Sequence, residues 1–275
     1  MAPNPATSDT ATSDTAAPDA VAPDTAAPPD APTAPSDAPT APSDATPDAP
    51  ARALTRECIA AAALRVLARD GLAGLSMRKV AAEVGVKAAS LYWHVRNKEE
   101  LLDLLNDALV AGAELPPRTG DWRAQYLEYG RRYRALLLAT RDAARIVAGR
   151  LATGPHILAV LEDQLDRLRG AGFTDADAAM ASYLLSAYVQ GFVLQEQSPL
   201  SAAEAAGATR GEAARAAGEV FRTLPAETHP NLVALAADLT DPDMDARFEF
   251  GLHRLADGLA ALLPTPRPAP GREPR

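Results

Sequence analysis

The stretch LSMRKVAAEVGVKAASLYWHVRNKEELL, from Leu75 to Leu102, constrains this chain more than any other. It predicts two short helices joined by a glycine turn, then a third helix with its own start signal. Ser76 stands where a side-chain oxygen caps a helix, and Val80, Ala81 and Val84 follow at helical spacing. Gly85 takes the place where a helix ends in the left-handed conformation. The next helix is expected from about Lys87 to Val95, with Leu91 and Val95 inward at i, i+4. Ala81 is small enough to let it pack close. Two short helices crossing at a tight turn make a helix-turn-helix, whose second helix can enter the major groove of DNA. Tyr92, Trp93 and His94 are consecutive, bulky and amphipathic, so they cannot all face one core, and at least one must point outward.

Charge points the same way. Between Arg52 and Lys98 stand nine basic residues and three acidic ones, Glu57, Asp70 and Glu83, in a chain of formal charge -9. A local basic excess in an acidic chain is the footprint expected for phosphate contact. A solvated face on a small helical bundle would carry the same charges. The glycine turn and the aromatic run favour DNA.

Residues 1–50 are a different material. They hold twelve prolines, eight aspartates and no basic residue, and fragments such as APSDAPTAPSD repeat loosely. Such a segment cannot bury enough apolar surface to offset its ordering entropy, so disorder is expected there and again from Pro264 to Arg275. It lacks the basic start and apolar centre of a signal peptide. No apolar run approaches the ~20 residues needed to cross a membrane. The single cysteine, Cys58, allows no intrachain disulfide and is read as a small packing residue, so a reducing cytoplasm is expected.

The remainder reads as all helix, with no convincing strand. The first helix is expected from Thr55 to Asp70, with Ile59, Ala63, Val66 and Leu67 inward and Gly71 closing it. Asn97 and Glu100 predict a capping box for a helix that stops before Pro116. Trp122 to Leu138, a short segment after Arg141, and Pro155 to Arg169 follow. Thr174 caps a long helix with Met180, Leu184, Ala187, Gly191 and Leu194 as its stripe. Residues 198–229 are Ala-rich and weakly patterned, so loop or marginal helix is expected. Asp241 and Pro242 open a last helix, striped by Met244, Phe248, Leu252, Leu255, Leu259 and Leu262. The last two long helices also carry small residues, Ala187, Gly191, Gly251 and Gly258, that permit close approach. A homodimer through these helices is expected.

From LTRECIAAAAL to ELLDLL the chain resembles, without a gap, the DNA-binding domain of the tetracycline-repressor (TetR) family of bacterial transcriptional regulators. LYWHV followed by Asn97-Lys98 is the most specific part. Trp122, Arg141-Asp142, Gly172-Phe173, the VLQEQ run and FEFGL extend the likeness, which covers residues 53–263. It implies a helix-turn-helix domain at 53–113 and a C-terminal ligand-binding and dimerisation domain at 114–263. It also implies a repressor released from a palindromic double-stranded DNA operator by a small-molecule inducer. The expected DNA-binding residues are Ser76, Arg78, Lys87, Ala88, Ala89, Ser90, Tyr92, Trp93, His94 and Lys98, with Trp93 bracing the helix by packing. Ala88 and Ala89 replace a glutamine and a proline. An alanine can touch a thymine methyl but cannot pair with adenine, so a different operator is expected.

In the tetracycline repressor itself the inducer is a magnesium chelate. Anchored on Arg141-Asp142, its metal-binding histidine falls on Val147, its acidic metal partner on Gln195 and a polar ring contact on Arg150. Glu114 stands where a drug-contacting histidine belongs. Valine offers magnesium no lone pair, so neither a metal site nor a cofactor is expected, and tetracycline is not the expected ligand. Tyr126, Tyr129, Tyr133, His156, Gln190 and Gln195 are the candidate pocket residues. For each, a satisfied polar group at a helix surface or core edge is the reading that ligand contact has to displace.

Two other functions stay open. The four histidines, 94, 156, 229 and 253, have no metal-ligand spacing, and no nucleophile elbow or phosphate loop exists to support an enzyme. A helical interaction protein could turn its basic patch toward an acidic partner.

Overall fold

A computed structural model describes residues 54–150, 153–199 and 205–264. The expectations for residues 1–50 and for 265–275 lie outside the described residues. No strand occurs among the described residues.

The N-terminal unit has four helices. Helix α1 (Arg56–Gly74) is capped by Thr55, whose hydroxyl accepts from Cys58 N. It buries Ile59, Ala63, Val66 and Leu67, as their spacing requires. Gly71 breaks it at φ 70°, ψ 176°, one residue after the expected end. Helix α2 (Met77–Val84) starts on the Ser76 cap and ends on Gly85 in the left-handed region at φ 82°. The Gly85 and Val86 amides donate back to the carbonyls of Ala82 and Ala81 at 3.1 and 2.9 Å, which satisfies the freed end of the helix. Helix α3 is shorter than expected, Ala88–Tyr92, and Leu91 and Val95 are both fully buried beneath it. Helix α4 (Lys98–Val110) begins on the Asn97 cap, which accepts from Glu100 N at 2.8 Å. The return half of the capping box goes elsewhere: the Glu100 carboxylate accepts from Arg96 N, not from Asn97 N.

Helices α5 (Trp122–Ala139), α6 (Ala143–Val147), α7 (Pro155–Gly170), α8 (Asp175–Gln197) and α12 (Met244–Ala260) pack behind this unit. Helix α8 lies against α5, α6, α7 and α12, while α4 lies against α6 and α7. Buried apolar residues form one cluster from Ile59 on α1 to Leu259 on α12. The α8 stripe turns out differently from the expected one. Ala178, Ala181, Leu185, Val189 and Val193 face inward, whereas Met180, Ala187 and Gly191 are exposed. A helix apolar on most sides gives periodicity no single face to select.

Of the two alternatives for residues 198–229, residues 210–222 take the helix, α9 (Arg210–Arg222), with a complete capping box between Thr209 and Glu212. It packs on α10 (Pro230–Ala234) and α11 (Ala236–Leu239) through Ala213, Ala214 and Gly218. Gly251 is an internal contact: a Cβ there would lie 2.3 Å from the Tyr188 hydroxyl of the same chain.

Candidate nucleic-acid interface and ligand pocket

Helix α3 is held from below by two side chains and presents the rest outward. With Leu91 and Val95 fully buried, Lys87, Ala89, Ser90, Tyr92 and Trp93 are exposed, and Ala88 and His94 are half-buried. Trp93 is 87% exposed, so it does not brace the helix as expected. The reason is local. Trp93 stands two residues from both Leu91 and Val95, about 200° around a helix, so it points away from the face that those two bury. An indole left this open in water adds nothing to the core and is free for an external partner.

The basic residues sort sharply. Glu83 takes Arg65 and Arg69 at 2.8 and 3.1 Å, and Asp70 takes Lys79 at 2.7 Å as well as Arg69. Glu100 takes Arg56 at 3.0 Å and Arg96 at 3.2 Å. The Arg96 backbone amide, with these guanidinium groups, holds the Glu100 carboxyl down at about 2. Exposed ion pairs of this kind contribute little stability, but they neutralise charge. Arg78, Lys87 and Lys98 are exposed and have no ion pair among the described residues. All three belong to the expected DNA-contacting set. Arg78 sits in the first turn of α2, Lys87 at the cap of α3 and Lys98 at the start of α4.

Two contacts tie this unit to the helices behind it. Where Gly71 breaks α1, Arg141 donates to the Arg69 carbonyl at 3.3 Å and the Asp142 carboxylate accepts from Leu72 N at 2.9 Å. A Cβ on Gly71 would sit 3.0 Å from the Arg141 guanidinium. Asp142 adopts φ 59°, the left-handed region, and no other non-glycine among the described residues does so. The second contact is a cap supplied in trans. Helix α7 starts at Gly154 with no side-chain cap of its own, and Asp107 of α4 accepts from the amides of His156 and Ile157 at 2.9 and 3.0 Å. Arg150 adds ion pairs to Glu99 and Asp103 on α4 at 2.7 and 2.6 Å.

The candidate pocket residues divide. Tyr126 and Tyr129 are buried on α5; the first donates to the Ala181 carbonyl at 3.0 Å and the second to Asp163. Burial raises both phenols well above the usual range. Tyr133 accepts from Gln190 at 2.9 Å. His156 is instead engaged with Asp107 through Nδ1 at 2.8 Å, and Gln195 is exposed on α8. Sequence reasoning did not single out Arg167, Asp163, Gln164 or Ser182, which complete the buried polar layer. Arg167 bonds Asp163 at 2.7 Å and the Pro116 carbonyl at 2.7 Å, and lies 5.5 Å over the Tyr129 ring. Ser182 donates to Gln164 at 2.6 Å. Asp163 and Arg167 sit at i, i+4, a spacing that in sequence reads as an exposed helix pair. The crevice among Trp122, Tyr126, Tyr129, Gln164 and Arg167 holds about 10 Å³, room for one water.

A resident magnesium chelate does not fit these residues. Val147 is buried and apolar, Gln195 points to solvent, Arg150 is committed to two carboxylates and the Glu114 side chain is 92% exposed.

Comparison with known proteins agrees with this geometry. The model "Bacterial regulatory proteins, tetR family" matches residues 59–105, and "Tetracyclin repressor-like, C-terminal domain" matches residues 116–263. The tetracycline repressor protein class A from transposon 1721 of Escherichia coli is 37% identical over 72% of this chain and 87% of its own length. The transcriptional repressor DrrR1 of Streptomyces coeruleorubidus is 34% identical over 78% and 80%. ActR of Streptomyces coelicolor, solved in complex with actinorhodin, is 39% identical, covers 76% of this chain and 96% of its own, and superposes with a TM-score of 0.69. Proteins of this family bind operator DNA and small-molecule ligands as dimers, and are in general not enzymes. No helix among the described residues is long and apolar enough to cross a membrane. A helix-turn-helix with three unpaired cations, set before a helical body that matches along its length, places this chain in the TetR family of ligand-responsive, DNA-binding transcriptional regulators.

Proposed function

We propose that this regulator is a homodimeric repressor, acting in the cytoplasm, that grips a palindromic operator through Arg78, Lys87, Ser90, Tyr92, Trp93 and Lys98. Residues 53–113 carry the DNA contacts and residues 114–263 the inducer pocket and dimer contacts. The observation that carries the reading is the sorting of charge: five of the eight described cations from Arg56 to Lys98 are paired internally, and the three left unpaired flank α3. Ser76 belongs to the helix cap, and His94 gives its carbonyl to Arg56. Ala88 and Ala89 supply only methyl groups to the groove, which suits thymine.

Helices α8 and α12 supply the dimer surface in this reading. Met180, Tyr183, Phe250 and Leu262 are 56, 66, 70 and 51% exposed in a single chain, and joining two such surfaces into a four-helix bundle would cover them. The inducer is a small organic molecule carried without magnesium. Its pocket is assigned to Tyr126, Tyr129, Tyr133 and Gln190, and the one-water crevice beside Tyr126 and Tyr129 must widen to admit it; His156, bonded to Asp107 of α4, and the exposed Gln195 are further from that role. Actinorhodin in ActR supports an organic inducer for this chain. Quantitative footprinting on a duplex selected from a random-sequence pool tests the reading. A protected palindrome is the expected result, and titration with magnesium and tetracycline should not release it. A protein that selects no DNA, or release at submicromolar chelate, would refute it.

A further inference from the structure

The turn from Trp93 to Asn97 has left α3 and not yet entered α4, so its backbone groups need other partners. The His94 and Val95 amides still donate to the Leu91 carbonyl at 3.0 Å, and two side chains from separate helices take the His94 carbonyl and the Arg96 amide. Arg56, on the first turn of α1, donates from Nη1 to the His94 carbonyl at 2.8 Å. Glu100, on the first turn of α4, accepts the Arg96 amide through Oε2 at 2.8 Å. The two also hold each other, with Arg56 Nη1 3.0 Å from Glu100 Oε1, and Glu100 Oε2 takes Arg96 Nε at 3.2 Å. One carboxylate therefore closes a ring over the turn that carries Trp93, and neutralises two guanidinium groups beside it.

We propose that Glu100 is a positioning residue that sets DNA specificity without touching DNA: it withholds Arg56 and Arg96 from phosphate and fixes the turn that aims Tyr92 and Trp93. This rests on the operator-contacting role proposed above for α3. A guanidinium released from its carboxylate is a phosphate ligand whatever the base sequence. Non-specific affinity is almost wholly electrostatic, so each released cation strengthens binding to all DNA. Specific affinity needs side chains held in register against base edges. Loss of Glu100 thus moves the two affinities in opposite directions. A residue that only supported the fold would lower both together and leave the salt dependence alone.

The test uses the full chain as wild type, Glu100→Gln, and Arg56→Gln combined with Arg96→Gln. Each is titrated by fluorescence anisotropy against a duplex selected by the wild type from a random pool and against a scrambled duplex. Salt runs from about 50 to about 300 mM, and thermal melts confirm folding. Glu100→Gln should bind the scrambled duplex several-fold more tightly at low salt and the selected duplex more weakly, so their ratio falls tenfold or more. Its log–log salt slope on scrambled DNA should steepen by about 0.9 for each phosphate newly contacted, up to about 3.6 for a dimer. The double variant should leave the scrambled-DNA slope unchanged, because those cations are already withheld in the wild type. It keeps the test valid should Glu100→Gln fold poorly. Equal weakening on both duplexes at constant slope, no change on either, or a slope lost in the double variant would overturn the proposal. A wild type that selects no duplex would overturn it together with the DNA-contact reading. Selection by the wild type with an inert Glu100→Gln would overturn it alone.

Discussion

Replacing Asp107 by alanine removes a helix cap that no local residue can restore. The carboxylate reaches from α4 to the first turn of α7, where it accepts two backbone amides and the His156 ring nitrogen at 2.8 to 3.0 Å. Losing an N-cap acceptor costs about 1 kcal/mol, with a range of ~0.5–2. A second amide left unpaired and partly buried adds about 1 kcal/mol, at the low end because the His156 side chain is 50% exposed and water can enter. Asp107→Ala should therefore destabilise by about 2 kcal/mol, or about 4–8 °C in melting temperature for a chain of this size. Asp107→Asn keeps the amide acceptor and should lose less than half as much. Gly154→Ala should mimic the loss, because a Cβ at Gly154 would fall 2.1 Å from the Asp107 carboxyl group. Urea unfolding at one fixed protein concentration measures all three, since dimerisation makes stability concentration-dependent. Alanine and asparagine variants of equal stability would refute the trans-cap account, as would a Gly154→Ala variant as stable as wild type.

The other predictions concern single contacts. Asp142→Ala should lose about 1–2 kcal/mol by orphaning the Leu72 amide, whereas Asp142→Asn, which tolerates the left-handed backbone and keeps an acceptor, should lose little; comparable losses would show that the contact is incidental. Phe250→Asp places a charge on the exposed stripe of α12 and should give a monomeric mass by light scattering, whereas an unchanged dimer would move the interface elsewhere. Glu100 is held from its ordinary 4.5 down to about 2, so its stabilising share is complete above about 4.5 and is lost as pH falls toward 2. Glu100→Gln should flatten the acid limb of stability in that window, and an identical acid limb in both proteins would contradict this.

Most of the N-terminal unit was legible because its signals are local. Thr55, Ser76 and Asn97 cap as a short polar side chain before an apolar run should, and Gly85 takes the φ that its place demands. The bulk of Trp93 suggests burial, but Leu91 and Val95 already fill the space beneath α3. Helix α9 reads only as loop or marginal helix for the opposite reason. Its inward residues are Ala213, Ala214 and Gly218, which make no hydrophobic stripe, although the Thr209 to Glu212 capping spacing was there to be read. The exposed positions on α8, with Met180, Ala187 and Gly191 among them, were expected as its stripe, and in one chain they face water. The polar layer around Arg167 depends on residues as far apart as Pro116 and Asp163 meeting in space, and no periodicity encodes that.

In the proposed complex three unpaired cations per subunit, not the whole basic cluster, meet the DNA backbone. The salt dependence of binding to the selected duplex tests this most directly. Six contacts in a dimer predict a slope of log affinity against log salt of about -5. Arg78→Ala, Lys87→Ala and Lys98→Ala should each flatten it by about 1.8, the loss of two contacts, while Arg65→Ala and Arg69→Ala, already bound to Glu83, should leave it unchanged. A slope set equally by the paired and the unpaired residues would contradict the account.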